Sequence, residues 1–205
     1  MPSDRSSVYI GLADLLLACL SVVIVAVAPP SKAKGPEQPA EFMITADWPV
    51  TGPNSDSDVD LWTLPPSGNP IMYKSRQIGC GSLDRDSRGW TDSRVNLPHG
   101  VVKIVDSQRE TTAFRCIEPG HFDVGVHLYS YHWHEGDPTG AYGLRVHVEV
   151  VRINPVLKTV WQGDVVINAD SQFVNAVSFD LEPDGIMTVT DTPLEPWGAR
   201  FMAHE

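Results

Sequence analysis

From residue 41 onward the sequence holds no helical period for as long as ten residues; apolar side chains recur at every second position in short runs. Phe42, Ile44, Ala46 and Trp48 alternate with polar or neutral neighbours, the pattern of a strand with one buried face. The alternation returns at Phe122, Val124, Val126 and Leu128, and again at Leu144, Val146, Val148 and Val150, there with charged residues opposite. Val59–Leu64 and Ile71–Lys74 flank a turn-rich Pro65–Pro70 segment and read as a hairpin. Further strands are expected at Val101–Asp106, Thr112–Ile117, Val156–Ile167, Phe173–Leu181 and Ile186–Thr190. Strands this short, punctuated by Gly, Pro, Asn and Asp, predict an all-β antiparallel sandwich over residues 41–192, with 193–205 as a C-terminal tail. About 150 residues suffice for such a core.

The N-terminus has a different character. Val8–Ala28 is a twenty-one-residue apolar run carrying one charge, Asp14, long enough for a helix to cross a bilayer. Three fates fit it. An uncleaved transmembrane anchor takes residues 8–28 as a span, after a short cytoplasmic segment 1–7. Ala26-Val27-Ala28 has the small-x-small form of a secretory cleavage site, although Pro29 would follow the cut. Leu16-Leu17-Ala18-Cys19 has the lipoprotein form, although an apolar stub would follow the modified Cys19. The anchor is the expectation, with the N-terminus cytoplasmic and the large acidic body outside. Residues 29–40 then form a proline-punctuated linker, which reaches about 37 Å in polyproline form.

In such a span Asp14 is the feature of interest. An ionised carboxylate at membrane depth costs about 2.5–3.5 kcal/mol on insertion scales, and Asp is too short to snorkel well. Gly11, Asp14, Ala18, Ser21, Val25 and Ala28 fall on one helical stripe, and small residues let membrane helices approach closely. Leu12-Ala13-Asp14-Leu15-Leu16-Leu17, continuing apolar to Ala28-Pro29, resembles the single span of ion-driven motor B subunits. These are the biopolymer-transport, Tol and flagellar stator B types. The resemblance implies that Asp14 carries a proton or sodium ion, and that Gly11, Ala18, Ser21, Val25 and Ala28 pack against partner helices. It further implies a homodimer inside a ring of multi-span A-type subunits, with the body moving a periplasmic load. Beyond residue 29 the chain has neither the periplasmic domain of the transport subunits nor the peptidoglycan-binding domain of the stator subunits.

Composition narrows the partners. Lys and Arg number 15 against 26 Asp and Glu, for a net charge of −11. The first forty residues hold three acids and three bases, so the whole excess lies in the body. Such a surface repels phosphate and argues against nucleic acid as a partner. Asp58-Val-Asp60-Leu-Trp62, Pro66-Ser67-Gly68, Leu83-Asp84-Arg-Asp86 and Pro119-Gly120-His-Phe122 are together similar to a bacterial β-sandwich family of exported or surface proteins. That resemblance spans roughly residues 42–168 and implies the fold, with little about activity.

Within the body, Asp58 and Asp60 alternate at a strand start and Asp84 and Asp86 do so in another segment. Like charges that close repel, and a hard cation such as calcium relieves the repulsion by taking six to eight oxygens; solvated turn acids are the alternative. His127, His132 and His134 offer a nitrogen-rich metal set or an aromatic loop lip. With Cys19 in the apolar run, Cys80 and Cys116 remain as an even pair in the body and are expected to form a disulfide outside the cytoplasm. No G-x-S-x-G, H-E-x-x-H or phosphate loop is present, so no catalytic activity is read from the sequence.

Overall fold

A computed structural model describes residues 39–49, 57–88, 94–96, 102–104, 107–130 and 143–202. Among these residues twelve strands run in chain order: β1 (Phe42–Pro49), β2 (Asp58–Leu64), β3 (Gln77–Ile78), β4 (Gly81–Arg85), β5 (Arg94–Asn96), β6 (Val102–Ile104), β7 (Ser107–Phe114), β8 (Gly120–Ser130), β9 (Leu144–Arg152), β10 (Lys158–Ile167), β11 (Phe173–Leu181) and β12 (Met187–Thr190). A single helical turn, α1 (Ala199–Met202), follows. The described residues form an all-β body. A six-stranded sheet in the order β10-β9-β1-β7-β4-β3 faces a four-stranded sheet in the order β12-β11-β8-β2, and β5 and β6 pair separately. Every strand pairing is antiparallel. Among the described residues no helix is long and apolar enough to cross a membrane.

The alternating runs supply the core between the two sheets. Phe42, Ile44, Ala46 and Trp48 of β1 are buried, and β9 sends Leu144, Val146, Val148 and Val150 into the same layer. From the facing sheet come Val59 and Leu61 of β2, Val124, Val126 and Leu128 of β8, and Val177, Phe179 and Leu181 of β11. Four phenylalanines lock the layers at one end. Phe42 stacks on Phe114 with ring centroids 4.5 Å apart, Phe122 stacks on Phe179 at 5.0 Å, and Phe114 meets Phe122 edge-on at 5.3 Å. Contacts of this geometry add about 0.5–1.5 kcal/mol each beyond the area they bury.

A second, smaller core lies on the outer face of the four-stranded sheet. Successive side chains of β2 point to opposite faces, so Trp62 and Leu64 point away from Leu61. They meet Phe173, Trp197 and the partly buried Phe201 and Met202. Gly125 makes this possible: a Cβ there would lie 2.3 Å from the Phe173 ring, so only a bare backbone lets that ring lie flat on β8. Residues expected as a free tail thus contribute Trp197, 7% exposed, to a packed face.

The strand limits differ from the sequence reading in several places. Ile71–Lys74 is a single bridge to Thr63 followed by a tight turn closed between Met72 and Ser75. The strand expected from Thr112 starts five residues earlier, at Ser107, because its inward positions Gln108 and Glu110 are polar. Gln77–Arg85, where the sequence reading places no strand, is the β3–β4 hairpin. Cys80 in its turn is joined to Cys116, just past β7, by a disulfide with Cα atoms 5.8 Å apart. A crosslink of this kind contributes about 2–4 kcal/mol, in the chain-entropy view by restricting the unfolded chain.

Candidate functional site: a buried carboxylate cluster at the β2 edge

Strand β7 runs antiparallel to β1, with Phe114, Thr112, Glu110 and Gln108 opposite Phe42, Ile44, Ala46 and Trp48. The β1 members of these pairs all face the core, so Glu110 faces it too, with no solvent exposure. An acid in that position needs donors, and the edge of the opposite sheet supplies one. Among the described residues strand β2 is the last of its sheet, so alternate backbone N–H groups point outward with no described strand to receive them. Leu61 N–H donates to Glu110 Oε2 at 2.6 Å, and Ser87 N–H, just past β4, donates to Oε1 at 3.2 Å. Further along the same edge Thr63 and Ile71 exchange two backbone hydrogen bonds, at 3.1 and 2.8 Å.

Two more carboxylates converge on Glu110. Asp60, preceding Leu61 on β2, is 4% exposed, and Asp86 follows β4. One oxygen from each of Asp60, Asp86 and Glu110 lies within 4.8 Å of the other two. Arg76 reaches Asp86 Oδ2 at 3.3 Å from a half-exposed position and braces the rim. His127, paired with Asp60 across the β2–β8 ladder, is 3% exposed. Its Nδ1 sits 3.5 Å from Asp60 Oδ2, beyond good hydrogen-bonding distance, and has no hydrogen-bond partner among the described residues. The ring is held edge-on against Trp62 at 5.6 Å and Tyr129 at 6.5 Å.

Burial is the dominant electrostatic effect. Removing the Glu110 carboxyl from water and placing it beside the Asp60 charge push its pKa up to about 10, against the downward pull of the Leu61 and Ser87 N–H groups. Three acids packed this closely repel one another, and a proton on Glu110 and the Arg76 guanidinium beside Asp86 each relieve part of that repulsion.

The structure sorts the acids named from the sequence. Asp60 and Asp86 come together. Asp84 instead accepts from Arg115, at 2.6 Å, and from Ser82; the register of β4 against β7 slips between Leu83 and Arg85, so Asp84 and Asp86 no longer share a face. Asp58 is paired with Ser130 at the start of β2 and is not one of the three convergent acids. Glu110 was missed, since Asp-Ser-Gln-Arg-Glu reads as a polar turn. Counting back by twos from Phe114 through Thr112 is the signal that finds it. Asp14, with Gly11, Ala18, Ser21, Val25 and Ala28, and the lip residues His132 and His134 lie outside the described residues.

Searched against protein families and against curated proteins, the sequence matches none. Among solved structures it is similar to one described as a protein of unknown function, SAV2460. That likeness has 12% identity and a TM-score of 0.42 over 75% of this chain and 92% of the other.

Proposed function

We propose that the chain is an exported, membrane-tethered β-sandwich module whose body binds a partner outside the cytoplasm. The Cys80–Cys116 disulfide carries this reading, because such bonds persist in oxidising compartments and are rare in the cytosol. The apolar run at residues 8–28 and the proline-rich linker suit a tether, and the acidic body suits a protein partner better than a nucleic acid. The test is thiol counting on the full chain, denatured directly from cells in a maleimide reagent. The reading expects at most one reactive thiol, Cys19, and two more after reduction. Three reactive thiols before reduction place the body in a reducing compartment and end it.

A second reading rests on Asp14, a lone acid within a long apolar run. In it the chain is the B-type subunit of a proton- or sodium-driven motor: a homodimer within an A-type ring, passing ions at Asp14 and moving a periplasmic load through the sandwich. Asp14→Asn then abolishes ion-driven activity while leaving membrane location and folding intact. Full activity in that variant removes the motor and leaves the tethered module.

A further inference from the structure

We propose that Asp60, Asp86 and Glu110 form a binding site for one divalent cation, with His127 supplying a nitrogen donor at its margin. Three observations converge. The three carboxylate oxygens lie within 4.8 Å of one another, a spread that a single ion spans at oxygen–metal distances of about 2.3–2.6 Å. Glu110 is oriented from behind by two backbone N–H groups, one on each oxygen. That leaves each oxygen a further lone pair for a cation, and bonded carboxylates of this kind are the usual support of a metal ligand. The buried imidazole of His127, with Nδ1 unbonded among the described residues, is aimed at Asp60 Oδ2 from 3.5 Å. It lies beside the cluster on the Asp60 side.

The donor set decides the class of ion. Carboxylates alone suit calcium, magnesium or manganese, whereas an imidazole draws the preference toward first-row transition ions. Three oxygens with one nitrogen make manganese the best match, with calcium accepted through the oxygens. The acids come from β2, from the residue after β4 and from β7, and so from both sheets. A bound ion therefore clamps the edge of one sheet to the other, which is a structural role and needs no chemistry at the metal.

The test is calorimetric titration of the full chain, in detergent and stripped with a chelator, using manganese chloride and calcium chloride separately. One ion per chain is expected, with a raised melting temperature. Glu110→Gln and Asp86→Asn are each expected to weaken manganese binding by at least about 10-fold. Asp86 stands at the rim, so its variant tests the site even where a core substitution misfolds. Asp84→Asn, outside the cluster, is expected to bind as wild type does. His127→Gln is expected to weaken manganese more than calcium; equal losses remove the nitrogen donor from the assignment. Binding undiminished in the Glu110 and Asp86 variants, or no binding of either ion at millimolar concentration, overturns the site. Neither result depends on where the chain resides in the cell.

Discussion

The two ends of the β1–β7 ladder are built from the same geometry and opposite chemistry. At one end Phe42 lies opposite Phe114 in a stack that continues into Phe122 and Phe179. At the other, Ala46 and Trp48 lie opposite Glu110 and Gln108, all four buried. The aromatic end is self-sufficient, because rings satisfy one another with no further partner. The polar end has to import its partners: a backbone donor from β2, another from Ser87, and the company of Asp60 and Asp86. Burial under a sheet is thus a neutral fact about position; the residue type decides whether the position closes on itself or calls in something else.

The sharpest way to break the contrast is to empty the aromatic end. Phe122→Ala removes a ring that stacks on Phe179 and meets Phe42 and Phe114 edge-on. It is expected to cost about 3–5 kcal/mol in urea unfolding, and a loss below about 1 kcal/mol would show that end to be loosely packed. The polar end gives a different signature, a slope. Glu110 sits far above the ordinary 4.5 of a glutamate, so its protonated form is the one the folded state favours. In chelator, the stabilisation is complete below 4.5 and is lost steadily as the pH rises toward about 10. Glu110→Gln keeps the shape and removes the titration, so its stability is expected to vary less over that window; parallel curves for variant and wild type contradict the burial described here. Smallest of all is the surface pair His121 and Asp180, 2.6 Å apart and both about half exposed. The bond to Asp180 raises the His121 pKa, and the nearby Asp123 adds to it. Its contribution is present below the ordinary histidine pKa and lost as the pH climbs through the raised value. Asp180→Asn is expected to remove under about 1 kcal/mol, and only below the raised pKa of His121.

The same contrast governs what the sequence could disclose. Period-two alternation marks a strand only where inward residues are apolar, so β1, β8 and β9 were legible to within two residues of their ends. The first half of β7 was not, since its inward positions are Gln108 and Glu110, and the acid most central to the candidate site was hidden with it. Asp60 and Asp86 were legible as chemistry, through their acidic neighbours, but not as a pair apart from Asp58 and Asp84. Only the pairing of β7 with both β1 and β4, a long-range fact, selects which acids meet. The outer-face core around Trp62 escaped for a related reason. Its partners Phe173, Trp197 and Phe201 are far apart in sequence, and Trp197 stands in a stretch with no period at all.

Strand β2 carries a last consequence. An unpaired strand at a sheet margin is a template on which another copy can polymerise. Here Leu61 N–H is already taken by Glu110, and Thr63 is engaged on both sides of its peptide unit by Ile71. Another strand therefore finds the Leu61 and Thr63 positions of that margin already occupied, and the acid that makes the interior costly is one of the groups that occupies them.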